Sequence, residues 1–184
     1  MPEEARQRAR SIMARQLGQL VRLIDEVVEL ARADQAPPAL RRAPARLRDV
    51  VDAALQKSHA ALAAREQTVQ PPASTEDLPP LQVDAERLAQ ALAALLRDVS
   101  RHAEAGTCLA LRAGVDADGS LVLGVQAGEA VSDTAPLPAR LSVAVTLAQR
   151  LAALQGASLQ ACAAATPDAP PPGYCLRLPR ATWR

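Results

Sequence analysis

The sequence has few of the residues on which several binding classes depend. Phe is absent and the aromatics comprise one Tyr and one Trp, so the chain offers no series of platforms for stacking nucleic-acid bases. A formal net charge of +1 argues against electrostatic attraction to nucleic acid or to an anionic membrane. The three cysteines, Cys108, Cys162 and Cys175, include no CxxC pair, so neither a zinc site nor a disulfide framework is indicated. We predict that they are buried, inert thiols.

Long hydrophobic runs are also lacking. No stretch approaches the length of a membrane span, and the opening MPEEARQRAR has no apolar centre of the kind found in signal peptides. We therefore predict a cytoplasmic protein. Its hydrophobic residues, 49% of 184, are mostly Ala, Leu and Val, which predicts a core of Ala–Leu helix packing and β-branched strands.

In the first part of the chain, the spacing of apolar residues predicts a long helix over residues 3–33. Apolar residues follow one another at spacings of three and four, which is typical of a coiled-coil seam, and the central ones are Leu17, Leu20, Ile24, Val27 and Ala31. Such a helix is not stable alone in water. Its expected partner is a second copy of the chain or the helices of another protein.

The remaining sequence alternates helices with strand pairs. We predict helices over residues 47–66, 85–102 and 139–154, with Asp84 as a helix N-cap and Gly156 as a C-terminal cap. Strands over residues 107–115 and 120–125 flank an Asp-Gly turn, and a second pair covers 158–164 and 174–178. A short strand is predicted at 81–83, and the region around Pro44 is predicted as a linker or an edge strand. Residues 70–80 are predicted to form a loop or an irregular strand, and residues 128–138 a loop. This order indicates an α+β sandwich with helices on one face of a mixed sheet.

Four local strings in this order resemble a bacterial sensor histidine kinase. RQLGQLVRLIDE, from Arg15, resembles the second helix of the dimerisation hairpin, and LRDVVDAAL, from Leu47, the first helix of the ATP-binding domain. DAERLAQAL, from Asp84, resembles the start of the helix that carries the N box, and LAQRLAALQG, from Leu147, the helix behind the glycine-rich lid. The resemblance implies a dimerisation-type helix at 1–36, a linker at 37–46 and a two-layer α/β sandwich of the histidine-kinase ATPase type at 47–184.

The N box of the resembled family places two amides four residues apart on one helix face, and one of them holds the magnesium ion that bridges the ATP phosphates. The matching positions are Ala94 and Asp98. Ala94 has no ligand atom. Asp98 could hold magnesium through its oxygens, although a carboxylate adds charge beside a triphosphate; the alternative interpretation is an exposed helix Asp.

The other two nucleotide motifs of the family are matched only in position. Where an Asp would contact adenine the chain has Ala127, followed by Gly128 and Glu129, and Glu129 is expected to be an exposed loop residue. Where glycines would let the backbone wrap phosphates, the chain has Ser142 and Ala144. The resemblance therefore implies a nucleotide site that has lost nearly all of its contact residues.

Neither histidine matches the phosphoacceptor of the family. His59 falls on the predicted helix 47–66 and is expected to be a solvated surface residue. His102 ends the predicted helix 85–102, where we expect it to interact with the helix C-terminus. The helix that carries the acceptor in the family has no counterpart here.

Three functions follow from the resemblance. The first is a degenerate histidine-kinase-like signalling protein, a pseudokinase without a cofactor, that dimerises through its N-terminal helix and contacts a sensor kinase or a response regulator. The second is an active or fragmentary sensor histidine kinase that binds ATP and Mg²⁺ through Asp98, Glu129 and Ser142. The third is a histidine phosphotransfer protein, which would need an accessible histidine on a helical bundle.

Overall fold

The computed structural model describes residues 40–73, 78–128, 134–137, 141–162 and 173–182, with single positions between 7 and 27. Those single positions are all helical and exposed: Gln7, Arg10, Ile12, Met13, Gln16, Leu17, Leu20, Ile24 and Val27. Within the described part of the chain, no helix combines the length and the apolarity that crossing a bilayer requires.

Three helices follow in the described chain: α1 Leu47–Ala63, α2 Ala85–His102 and α3 Val143–Leu154. The predicted cap of α2 is confirmed, because the Asp84 carboxylate accepts a hydrogen bond from the backbone N–H of Arg87. Gly156 has φ +78° directly after the end of α3, as predicted for a left-handed cap. Helix α3 begins at Val143 rather than near 139, because Ser142 has an extended backbone and forms its N-cap.

Among the described residues, eight strands form two sheets. Their bounds are β1 Ala43–Ala45, β2 Thr68–Gln70, β3 Leu81–Val83, β4 Cys108–Val115, β5 Leu121–Ala127, β6 Thr134–Ala135, β7 Ser158–Cys162 and β8 Gly173–Leu178. Strands β1 and β3 pair antiparallel by themselves, and the other six form a sheet in the order β2-β4-β5-β8-β7-β6. Because β2 runs parallel to β4 while the remaining pairs are antiparallel, the sheet is mixed, as predicted.

Two strands lie where the sequence pattern predicts none. Strand β6 lies inside the predicted loop 128–138 and pairs with the end of β7, and β2 pairs with the beginning of β4. Both have at most three residues and lie at the two edges of the sheet. Such short strands carry no alternation of their own and depend on the neighbouring strand, so the local pattern does not reveal them.

The predicted tight turn between β4 and β5 is confirmed. The backbone N–H of Gly119 donates to the carbonyl of Asp116 at 2.8 Å, and Gly119 has φ +80°, a conformation that glycine adopts at low cost. Arg177 of β8 forms ion pairs with the carboxylates of Asp116 and Asp118 at 2.9 and 2.7 Å. These contacts hold the turn against the neighbouring strand.

The core lies between the helices and the sheet. Helix α2 contacts α1, α3, β5 and β8, and α3 also packs on β7. Among the described residues, the largest fully buried side chains are all leucines, which confirms the Ala–Leu core expected from the composition. Residues 85–102 therefore form the central helix of the fold, on which the candidate site is built.

Buried polar side chains hold both ends of α2 in place. At its beginning, the Gln155 amide accepts from the N–H of Asp84 at 3.0 Å and donates to the Asp84 carbonyl at 2.8 Å. Near its end, the Gln67 amide donates to the carbonyl of Ser100 at 3.2 Å and accepts from the Ser100 hydroxyl at 2.5 Å. A helix tied at both ends presents its side chains in a defined position to α3 and to the sheet.

Candidate functional site

The candidate site lies where the second half of α2 meets the beginning of α3 and of β8. Ala94 and Asp98 are one helical turn apart on α2, and their exposed fractions are 0% and 1%. The interpretation of Asp98 as an exposed helix residue is therefore wrong. A carboxylate on a surface helix and one facing a buried junction look alike in a single sequence, because the difference lies in the elements that pack over it.

The Asp98 carboxylate accepts hydrogen bonds from two hydroxyl groups. Ser142 donates to one oxygen at 2.6 Å, and Tyr174 donates to the other at 2.7 Å. These partners lie 44 and 76 residues further along the chain. Short hydrogen bonds to a buried carboxylate are among the stronger ones in proteins. The network of Asp98, Ser142 and Tyr174 thus joins α2, α3 and the sheet.

Ser142 has a second role at the start of α3. Its hydroxyl oxygen accepts a hydrogen bond from the backbone N–H of Val145 at 3.2 Å while the hydroxyl hydrogen is donated to Asp98. An N-cap of this kind satisfies one of the free amides of the first turn. The glycine-to-serine difference from the family motif therefore has a structural use in this chain.

Tyr174 is the member of this network that the sequence pattern did not single out. It lies on β8 with an exposed fraction of 3%. Burial raises the pKa of Tyr174 well above its usual value, and the hydrogen bond to Asp98 raises this pKa further. The one available signal was indirect: the chain has a single tyrosine, and a buried phenol needs a hydrogen-bond partner.

A pH titration should therefore show a tyrosine that stays protonated while the fold persists. Since its folded-state pKa is raised, Tyr174 contributes stability that is complete below the unfolded-state pKa near 10 and is lost progressively as the pH rises above it. Absorbance at the phenolate wavelength should rise only together with loss of the helical circular dichroism signal. In denaturant, the same residue should ionise near its usual pKa. Ionisation near pH 10 with the helical signal intact would contradict the burial of the hydroxyl.

The two histidines differ in their surroundings. His102 lies in the last turn of α2, and its Nδ1 is 2.9 Å from the backbone carbonyl oxygen of Asp98 and 3.6 Å from the Asp98 carboxylate. The expected contact of His102 with the end of its helix is confirmed. His59 is exposed on α1, also as expected.

The positions matched to the adenine and phosphate motifs lie at the end of β5 and at the beginning of α3. Ala127 ends β5 and is half-buried, Gly128 follows with φ +74°, and Ala144 is fully buried in the first turn of α3. Glu129 lies outside the described residues. Of the proposed nucleotide contacts, the structure therefore brings Asp98 and Ser142 together, and the position of Glu129 stays a prediction.

No group of three or more His, Cys, Asp or Glu side chains capable of holding a metal ion occurs among the described residues. The Asp98 carboxylate is flanked by hydroxyls and by the His102 ring rather than by a second carboxylate. An oxygen-rich cluster is what magnesium sites in proteins usually provide.

The predicted interface residues on the N-terminal segment are exposed. Leu17, Leu20, Ile24 and Val27 have exposed fractions of 60%, 55%, 58% and 51%. Ala31 lies outside the described residues. Large apolar side chains exposed along one helix are uncommon in isolated soluble proteins.

The cysteine prediction holds for one residue only. Cys162 is buried, Cys175 is half-buried and Cys108 is exposed at the start of β4. The pattern that placed all three in strands is correct, but it does not tell which face or which end of a strand a residue occupies.

Among the comparisons with known proteins, the one with solved structures identifies the fold. No family model matches the sequence, and no curated protein is similar to it in sequence. Among solved structures, the histidine kinase AdeS from Acinetobacter baumannii has a TM-score of 0.63 at 16% identity, over 98% of this chain and 86% of that one. Full-length ShkA in complex with AMPPNP has a TM-score of 0.64 at 20% identity, over 95% of this chain and 39% of that one.

A third neighbour is limited to one domain. The catalytic domain of the histidine kinase ThkA has a TM-score of 0.56 at 9% identity and covers 76% of this chain and 96% of that domain. Identities this low establish shared architecture and not shared chemistry. The resemblance inferred from four short strings is thus confirmed by structure: this chain has the α+β fold of histidine kinases with their ATPase-type catalytic domain.

Proposed function

We propose that this protein is a degenerate histidine-kinase-like member of a two-component pathway that acts through dimerisation and protein contact without binding Mg²⁺-ATP. The observation that carries the proposal is the burial and hydrogen bonding of Asp98. Of the two positions matched to the N box, it is the one whose side chain has oxygen atoms. Both of its carboxylate oxygens accept hydrogen bonds from side chains of the same fold, and its exposed fraction is 1%. Magnesium binding there would have to open a packed junction in which both carboxylate oxygens already accept a hydrogen bond from a hydroxyl group.

The alanines around this junction support the same proposal. Ala94 and Ala144 present buried methyl groups where the family has a ligand side chain and a glycine, and Ala127 stands in the place of the adenine-contacting carboxylate. A metal-bound triphosphate needs oxygen ligands and close approach of backbone amides. The residues present do not fit that group, so we assign it no role in this chain.

Thermal unfolding with and without nucleotide tests the absence of ATP binding. We expect the same melting temperature in millimolar ATP, with or without Mg²⁺, as in buffer alone. A ligand present at about 100 times its Kd would add about 2.7 kcal/mol to the free energy of unfolding and raise the melting temperature by about 5–10 °C for a chain of this size. A saturable rise that depends on Mg²⁺ would overturn the proposal, and a nucleotide-binding kinase domain run in parallel verifies the assay.

The competing function, an active kinase with a divergent nucleotide site, is favoured by one observation. Asp98 and Ser142 meet at 2.6 Å although they are 44 residues apart, so two of its three proposed contacts do share a site. If the melting temperature rises with Mg²⁺-ATP, a structure with nucleotide beside these two residues would establish that function. The third alternative, a phosphotransfer protein, has no comparable support from His59 or His102.

We propose that the chain forms a dimer with a second copy of itself. The contact would be made by the exposed apolar residues of the N-terminal segment, among them Leu17, Leu20 and Ile24. We expect light scattering to give twice the monomer mass at micromolar concentration and Leu17→Glu to shift the population towards monomer, because a charge on the seam must be desolvated in the dimer. Gln16→Glu is the matched control, since Gln16 is also helical and exposed but is not part of the apolar set. A monomeric wild-type chain, or equal effects of both changes, would contradict the proposed interface.

A further inference from the structure

Two of the three cysteines meet on neighbouring strands. Cys162 is the last residue of β7, Cys175 is the third residue of β8, and their sulfur atoms are 3.9 Å apart. In the ladder Cys175 is directly opposite Gln160, so Cys162 is its diagonal neighbour, two residues along β7. Residues two apart on a strand point to the same side of the sheet, which explains the contact.

The two thiols have unequal surroundings. Cys162 has an exposed fraction of 1%, whereas Cys175 is only half-buried. Hydrogen bonding between the two thiols lowers the pKa of Cys175 below its usual value, and the same pairing, together with burial, raises the pKa of Cys162. Because Cys175 is the more exposed of the two thiols, we expect peroxide to reach it first, and the lowered pKa favours the thiolate form that acts as the nucleophile.

We propose that Cys162 and Cys175 form an oxidation site for hydrogen peroxide and close to a disulfide in two steps. The Cys175 thiolate attacks the peroxide O–O bond, so that an S–O bond forms and hydroxide leaves, which gives a sulfenic acid. The Cys162 thiol then attacks the Cys175 sulfur, the S–S bond forms, and the Cys162 proton leaves with the displaced hydroxyl as water. The two sulfurs give up two electrons in total, and the peroxide is reduced to water and hydroxide.

The geometry permits closure with a small adjustment. A disulfide needs a sulfur separation of about 2.05 Å, roughly half of the present distance. Cys162 is the terminal residue of its strand, where it pairs with Thr134 of β6 and lies beyond the last described ladder pair of β7 with β8, which is Ala161 with Tyr174. Side-chain rotation and a small movement of this strand end can bring the sulfurs together.

A disulfide between Cys162 and Cys175 would affect two other parts of the fold. Cys162 pairs with Thr134 of the edge strand β6. Cys175 follows Tyr174, whose side chain points to the opposite face of the sheet and donates to Asp98. Oxidation would therefore change the strand junction that supports both β6 and the buried network. The inference does not depend on the proposed function.

Alkylation of the oxidised chain tests the site. In a Cys108→Ser background, untreated protein unfolded in N-ethylmaleimide should carry two adducts. After treatment with hydrogen peroxide we expect none, a mass lower by two hydrogens, and recovery of both adducts with dithiothreitol. Two adducts after oxidation, or sulfinic acid on Cys175 without a cross-link, would overturn the proposal.

A second variant separates the two steps. With Cys162→Ser added, the reaction should stop at a sulfenic acid on Cys175 that dimedone traps, because the resolving thiol is gone. Should this variant fail to fold, peptide mapping of the oxidised wild-type chain decides. A linked pair of peptides containing Cys162 and Cys175 supports the site, and cross-links through Cys108 contradict it.

Discussion

Gly173→Ala is expected to lower the free energy of unfolding by about 1–3 kcal/mol. An added methyl group at this position would overlap the carbonyl oxygen of Val125 and lie 2.6 Å from the Cβ of Gln126. Both residues belong to the backbone ladder between β5 and β8, in which Gly173 pairs directly with Gln126. Relief of this overlap requires β5 and β8, the two central strands of the sheet, to separate where β8 begins. Urea unfolding followed by circular dichroism measures the loss.

Gly114→Ala is the matched control for this change. Gly114 lies on β4 and is exposed, and no group in the described part of the chain comes within 4 Å of an added methyl. Alanine there should be neutral or stabilising by up to about 1 kcal/mol, because it removes backbone freedom from the unfolded chain. Equal effects of the two substitutions would show that β8 does not approach β5 as closely as described.

Asp98→Ala should also destabilise the protein, by about 1–3 kcal/mol. The substitution removes the acceptor of two buried or half-buried hydroxyls, those of Ser142 and Tyr174. Neither hydroxyl has another side-chain acceptor within the described residues. Asp52→Ala is the control, because Asp52 is 65% exposed on α1 and such changes usually stay within about 0.5 kcal/mol.

A double-mutant cycle makes the Asp98 prediction specific. Tyr174→Phe alone removes one hydrogen bond and leaves a carboxylate oxygen of Asp98 without its donor. Because both single changes break the same bond, the double variant should be less destabilised than the sum by about 0.5–3 kcal/mol. Additive effects would mean that the two side chains do not interact in the folded protein.

Local chemistry was sufficient to predict much of the secondary structure. Asp84 marked the beginning of α2 because its carboxylate can bond a free amide two or three residues later. Gly119 marked the turn between β4 and β5, and Gly156 the end of α3, since both positions need a left-handed backbone. Helix caps and turns depend on residues that are close in the sequence, so they can be recognised without a structure.

The candidate site was predicted in part. Asp98 and Ser142 were identified from their alignment with the family motifs, and they do meet. Tyr174 was missed, and Asp98 was expected on the surface. Helix α2 is buried on several sides because α1, α3 and the sheet all pack against it. The spacing of apolar residues within α2 therefore does not show that Asp98 faces the contact with α3 and β8.

The cysteines illustrate the same limit. The alternation of strand residues placed Cys108, Cys162 and Cys175 in or next to strands, yet their exposure depends on strand ends and sheet order. The contact of Cys162 with Cys175 depends on the register of β7 against β8, which is set by many cross-strand pairs at once.

By itself, the sequence determined the helices from Leu47 onward, the two hairpins, the leucine-rich core and the likeness to histidine kinases, because caps, turns and apolar spacing act within one element. Only the tertiary structure decided that the Asp98 carboxylate is enclosed by hydroxyls from α3 and β8 and that two thiols share one face of the sheet. The physical reason is that burial and hydrogen bonding at a junction are properties of several elements packed together.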